Sequence, residues 1–277
     1  MFQRGRGPGG VGWVEEGNDV APDLSFTQVH VLGKVGYWML GFNAQVYNFG
    51  SSFAAGRATT AALAITPKLD GSGYWVVDGF GHVFPRGRAQ RYGAAPVLTP
   101  GEFITTIAAT PTGLGYWLFS SRGRVFARGD ARDFGGLGSS HLNGPIIASA
   151  ATPTGLGYYM VASDGGVFSF GDARFHGSMG GQHLNKPIIG IAPTPDNAGY
   201  WLVASDGGVF SFGAPFRGSM GGQHLNRAVR GLVAYGNGYL MVATDGGVFD
   251  FSDLAFLGSL AGRKLASPII GIAAFTT

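Results

Sequence analysis

A block that opens on Gly-Tyr recurs along this 277-residue chain, at Gly36, Gly73, Gly115, Gly157, Gly199 and Gly238, with intervals of 37, 42, 42, 42 and 39 residues. A fixed period of this length marks a repeat architecture, in which each supersecondary unit buries its apolar surface only against its neighbours. Some units are near copies. Val161–Gly171 and Val203–Gly213 both read VASDGGVFSFG, and Gly177–Asn185 and Gly218–Asn226 both read GSMGGQHLN.

Within one unit the pattern predicts four short strands. Ile188–Ala192 is a β-branched apolar run, PTPDNAG is turn chemistry, and Tyr200–Ser205 and Val209–Phe212 flank Asp206-Gly207-Gly208. That spacing predicts a hairpin with a two-residue type I′ turn, which needs positive φ at both central positions. Phe216–Ser219 is expected as a short outer strand, and GGQHLN leads to the next unit. Four strands per unit make a propeller blade. A lone sheet is marginal in water, so Tyr200, Trp201, Phe210 and Phe212 should pack against the sheets on either side. Trp38, Trp75, Trp117 and Trp201 are expected in the core for the same reason.

The chain ends on Ile269–Ala274, a first strand without its Gly-Tyr-Trp, while Gly12-Trp13-Val14 is a second strand without a first. The expected architecture is therefore all-β: a seven-bladed propeller of four-stranded antiparallel blades, closed by pairing the N- and C-terminal strands. It forms a single domain over 1–277, with a lead-in at 1–11 and a composite closing blade from 12–25 plus 268–277. Asp19–Leu24 is expected as that blade's third strand and Thr27–Leu32 as the first strand of the next.

Fifty Gly and 13% charged residues fit many tight turns and few solvated helices. No apolar run is long enough for a membrane-spanning helix, and MFQRGRGPGG lacks the apolar core of a secretory signal. No membrane insertion is expected. Zero Cys excludes disulfides and thiolate metal sites, and a scattered net charge of +3 gives no argument for nucleic acid.

The runs GYWLVASDGGVFSFG, GSMGGQHLN and PIIGIA resemble the repeats of many actinobacterial cell-surface and secreted proteins, and of some phage proteins of those hosts. The resemblance covers nearly the whole chain, strongly over 115–274 and more weakly before residue 60, where Gly41-Phe42-Asn43-Ala44 replaces Ser-Asp-Gly-Gly. It implies a propeller that accompanies exported hydrolases as a binding or display module, without catalytic residues of its own. A virion or cell-surface location, with partner proteins of that assembly, is the corresponding expectation.

Short motifs add little chemistry. Gly5–Gly10 matches a dinucleotide fingerprint in spacing but has neither a preceding strand nor a following helix, and it contains Pro8. Arg128-Gly129-Asp130 aligns with Phe170-Gly171-Asp172 and reads as a turn. Each Asp-Gly-Gly at Asp164, Asp206 and Asp245 offers one carboxylate, too few for calcium. No nucleophile elbow, zinc helix or phosphate loop is present, so no catalysis, cofactor or metal is expected. The repeated polar constellation is in the linkers, at His141 and Asn143, His183 and Asn185, and His224 and Asn226. These should share a rim with the Asp-Gly-Gly turns. They either cap turns beside a plugging Leu or hydrogen-bond the hydroxyls of a cell-wall polysaccharide. Two functions follow: a rigid display platform for other proteins, or a lectin-like module.

Overall fold

The computed structural model describes residues 33–53, 56–59 and 61–277. Over these residues the chain forms eighteen strands and no helix. They are β1 (Val35–Gly41), β2 (Val46–Gly50), β3 (Ala64–Pro67), β4 (Gly73–Val77), β5 (Val83–Gly87), β6 (Ile104–Ala109), β7 (Gly115–Ser120), β8 (Val125–Gly129) and β9 (Ile146–Ala151). The series continues with β10 (Gly157–Ala162), β11 (Val167–Gly171), β12 (Ile188–Pro193), β13 (Tyr200–Ala204), β14 (Val209–Phe212), β15 (Val229–Tyr235), β16 (Gly238–Ala243), β17 (Val248–Phe251) and β18 (Ile269–Thr276). They assemble as six antiparallel sheets of three strands, each with a Gly-Tyr strand in the middle.

Every middle strand is buried along its whole length apart from the half-buried Val35. Strand geometry sends the Tyr and the next residue to opposite faces, so one repeat grips both neighbours. Trp38 meets Tyr74 with ring centroids 5.5 Å apart, Trp75 meets Tyr116 at 5.8 Å, Trp117 meets Tyr158 at 5.9 Å and Trp201 meets Tyr239 at 5.1 Å. Where the fourth unit has Tyr159 in the Trp position, it meets Tyr200 at 4.9 Å. The sixth seam joins the last full repeat to the first: Leu240 and Tyr235 pack with Tyr37 and Met39. Such aromatic pairs contribute about 0.5–1.5 kcal/mol each beyond their area burial.

The closing strand pairs differently from the expectation. β18 lies antiparallel to β1, with Tyr37 opposite Ala274 and Trp38 opposite Ala273. The C-terminal strand is therefore the inner strand of the Gly36 repeat, a partner the sequence did not assign to it. Its Ile-Ile-Gly-Ile-Ala sequence places small residues opposite Tyr37 and Trp38, as Ala192 and Pro193 lie opposite Trp201 and Tyr200. Trp13, Asp19–Leu24 and Thr27–Leu32 lie outside the described residues.

The fourth strand is also revised. Phe216–Ser219 carries no ladder; Gly218, at φ 137°, breaks the extended run. The segment is instead tied by side chains. Trp201 Nε1 donates to the Pro215 carbonyl at 2.8 Å and Tyr239 Oη to that of Gly218 at 2.5 Å. Trp75, Trp117, Tyr116, Tyr158 and Tyr200 do the same to Gln90, Arg132, Gly93, Gly135 and Gly177. Each Tyr thus staples the outer segment of the preceding repeat.

The middle-to-outer hairpins are three-residue loops, not two-residue type I′ turns. Gly165 N–H donates to the Ala162 carbonyl at 2.9 Å and Ala162 N–H to the Gly166 carbonyl at 2.9 Å. Of the two glycines only the first is left-handed, at φ 85°, 79° and 78° for Gly165, Gly207 and Gly246. This is the turn-plus-bulge hairpin, in which the third loop residue takes positive φ. Ala44 occupies the same place at φ 63°, a conformation that disfavours a Cβ.

Candidate functional site

The hairpin loops and the inter-sheet linkers share one end of the strands, as the alternation of strand direction requires. Met179 N–H, from the segment entering the Gln182–Asn185 linker, donates to the Gly165 carbonyl at 3.0 Å; Met220 repeats the contact on Gly207 and Leu260 on Gly246. Leu142, Leu184 and Leu225 of the linkers are half-buried and pack into the inter-sheet cores. Their neighbours His141, Asn143, His183, Asn185, His224 and Asn226 are all exposed. The linker leucine anchors and the flanking His and Asn project outward.

Successive linkers and the hairpin between them enclose shallow clefts. Asn143, Asp164, Gln182 and His183 line one of about 650 Å³. His141 and Asn143 join Phe103, Ser121 and Arg122 around another of about 420 Å³, and His183 and Asn185 join Lys186 and Asp206 around a third of about 250 Å³. The structure therefore unites His183 with Asn143 of the preceding linker more closely than the sequence pairs suggested. His224 and Asn226 line none of these three.

Each hairpin Asp keeps one oxygen on its own loop: Asp164, Asp206 and Asp245 each accept the N–H two residues on, at 3.0 Å. Among the described residues no three His, Asp or Glu side chains are grouped to hold a metal ion. Arg128-Gly129-Asp130 closes a strand, with Gly129 at φ 67°. The Asp130 carboxylate accepts from Thr110 at 2.9 Å and Thr112 at 2.5 Å, as Asp172 does from Thr152 and Thr154.

Half of this rim escaped the linker pattern. Phe80 and Arg122 stand where later loops have Asp164 and Asp206, and Phe42 lies in the loop of Ala44. Phe80 is 78% exposed and Val97 94%, with Phe42 and Phe103 also exposed. Asp78 braces the Phe80 loop, accepting the Phe80 and His82 N–H groups at 3.0 and 2.9 Å and pairing with His82 Nδ1 at 2.8 Å. Behind Arg122, Glu102 is fully buried and pairs with Arg124 at 2.9 Å. Burial pushes its carboxyl up, but hydrogen bonds from Ser120, Thr99 and Arg124 outweigh burial and hold it at about 2. The signal for this half was the replacement of Ser-Asp-Gly-Gly by apolar or basic residues in an otherwise constant frame.

The six inner strands meet around a further cavity of about 360 Å³, lined by Ile65, Ile107, Ser149, Ile191, Leu232 and Ala273 among others. Among the described residues no acidic or His side chain lines it.

No protein family matches the chain, and no curated protein matches it significantly. Among solved structures, a chain from the crystal structure of a nidogen/laminin complex superimposes with a TM-score of 0.63 at 10% identity, over 87% of this chain and 98% of that one. At this identity the likeness defines a class of fold: a β-repeat similar to a propeller-type neighbour.

Proposed function

We propose that the six sheets are the blades of a closed propeller that serves as a non-enzymatic, rigid platform for protein assembly at a cell surface or in a virion. The observation that carries this reading is the apolar half-rim. Phe42, Phe80, Val97 and Phe103 project from hairpins and linkers of neighbouring sheets, and exposed aromatics held on short braced loops favour association because little side-chain freedom is lost on docking. The similar chain comes from the crystal structure of a nidogen/laminin complex; that supports the reading by analogy of fold only. The surface or virion setting rests on the resemblance of the repeats. A photo-crosslinking residue at position 80, introduced in the native assembly, should give one defined protein adduct, with none from position 206. Equal labelling from both positions, or from neither, defeats the proposal.

A second reading is favoured by the cleft that unites Asn143, Asp164, Gln182 and His183. Amide, carboxylate and imidazole groups around one shallow, exposed depression suit sugar hydroxyls, and equivalent clefts on adjacent linkers would add avidity on a polymeric glycan. Peptidoglycan pull-down that persists after replacing His141, His183 and His224 with Ala removes this reading.

A further inference from the structure

The charge of this chain is not evenly placed. Residues 33–134 hold ten Lys and Arg against five Asp and Glu, a net +5, whereas 135–277 hold seven of each. Part of this excess borders a cleft. Between the first two sheets, at the strand ends opposite the hairpin rim, Lys34, Ser51, Phe53, Asp70, Ser72 and Arg88 line a cleft of about 630 Å³. Its walls are fixed by backbone bonds. The Lys34 carbonyl accepts from Thr277 N–H at 3.1 Å and from Thr277 Oγ1 at 3.2 Å, and Arg88 N–H donates to the Ser72 carbonyl at 3.0 Å.

The one carboxylate in the cleft is already engaged. Asp70 accepts from Lys68 Nζ at 2.7 Å, Ser72 N–H at 3.0 Å and Ser72 Oγ at 2.6 Å. Among the described residues neither Lys34 nor Arg88 takes part in an ion pair. Arg88 marks a local reversal of charge, since the next two repeats have Asp130 and Asp172 at its place, each bonded to threonines. The basic strip extends past the cleft: Arg86 donates to the Arg57 and Ala58 carbonyls, and Arg91 is exposed three residues beyond Arg88. Phe53, 39% exposed, adds an apolar ring beside the two cations.

We propose that this cleft binds an acidic sugar unit of an anionic polysaccharide. The acid group, a carboxylate or a phosphate, would sit between the Lys34 ammonium and the Arg88 guanidinium, whose fork suits such oxygens. The C–H face of the sugar would cover the Phe53 ring, and the Ser51 hydroxyl would meet the ring hydroxyls. Arg91 would favour a neighbouring acidic unit of the same polymer. This site is separate from the hairpin rim and does not depend on the function proposed there.

Binding of polygalacturonate, a phosphomannan, neutral dextran and double-stranded DNA to the whole chain tests it. The expected result is binding to at least one of the two acidic polymers, weakening with salt, and none to dextran; the tighter polymer identifies the acid group. Lys34→Gln with Arg88→Gln should weaken that binding on the order of tenfold or more. Phe53→Ala should weaken polygalacturonate severalfold. Arg230→Gln, at an exposed arginine of β15, should leave binding unchanged, and all variants should keep the parent unfolding midpoint. The proposal is overturned if neither acidic polymer binds, if Arg230→Gln weakens binding as much as the double variant, or if DNA binds as tightly through the same two residues.

Discussion

The second and third sheets, β3–β5 and β6–β8, differ from the fourth and fifth, β9–β11 and β12–β14, in their surfaces and hardly at all in their frame. In both pairs a Trp or Tyr from one middle strand meets the Tyr of the next, with centroids 4.9–5.9 Å apart. Opposite the Tyr of their own middle strand, the fourth and fifth sheets carry Phe170 and Phe212 on the outer strand, packed in tilted fashion on Tyr158 and Tyr200 with centroids 5.5 and 5.7 Å apart. The second and third carry Arg86 and Arg128, which donate to the backbone of the preceding repeat's outer segment. An outer strand can be held by an aromatic contact or by a guanidinium clamp, because the middle strand is already buried on both faces. The outer position is therefore free to carry charge.

Several experiments would sharpen or break this comparison. Deleting Ile269–Thr277 should have the largest effect: β1 loses its inner partner, Ile65 and Val233 lose apolar neighbours, and cooperative unfolding followed by circular dichroism should vanish. Trp117→Ala and Trp201→Ala should each cost about 3–5 kcal/mol in denaturant unfolding. Similar costs in the two halves would establish that the seam is shared, and a much cheaper Trp117 would break the comparison.

Glu102 should make the third sheet acid-sensitive. Its folded pKa lies at about 2, below the ordinary glutamate value of about 4.3. The stabilisation is therefore complete above the ordinary value and is lost as the pH falls toward 2. Glu102→Gln should flatten part of that acid loss in thermal melts. The remainder belongs to groups such as Asp70, whose carboxyl is also held at about 2, with the Lys68 and Ser72 hydrogen bonds overcoming the opposing effect of burial. Exchanging the outer-strand solutions should cost less. Phe170→Arg loses the ring contact with Tyr158 and Arg86→Phe leaves the Ala58 carbonyl without its donor, each about 1–2 kcal/mol. Smallest of all, replacing His141, His183 and His224 with Ala should change stability by less than about 0.5 kcal/mol per site, because all three are exposed.

Much of the frame was legible from spacing. Ile188–Ala192, Tyr200–Ser205 and Val209–Phe212 were expected as strands and differ from β12, β13 and β14 by a residue at most. Trp38, Trp75, Trp117 and Trp201 are fully buried, as a Gly-Tyr-Trp strand between two sheets requires. The hairpin type was not legible, since Ser-Asp-Gly-Gly is compatible with either loop length and the choice falls to the Ala162–Gly166 pairing. The absence of a fourth strand was not legible because Phe216–Ser219, Phe-Arg-Gly-Ser, is too short for an alternation pattern to decide between strand and loop. The segment's backbone is satisfied by Trp and Tyr side chains from elsewhere in the chain, which a local pattern does not reveal. The clefts on the rim were half legible: residue types repeat in sequence, but the grouping of Asn143 with His183 joins residues from two different linkers.

The sequence by itself determined the repeat length, the direction of each strand's faces and which aromatic side chains lie inside, since these follow from alternation and turn chemistry within a few residues. Tertiary structure alone decided which strand receives the C-terminal one. Ile269–Ala274 matches any exposed Gly-Tyr-Trp edge in pattern, so its pairing with Val35–Gly41 depends on where the preceding sheets bring the two ends of the fold together. The same long-range geometry places Lys34 beside Arg88.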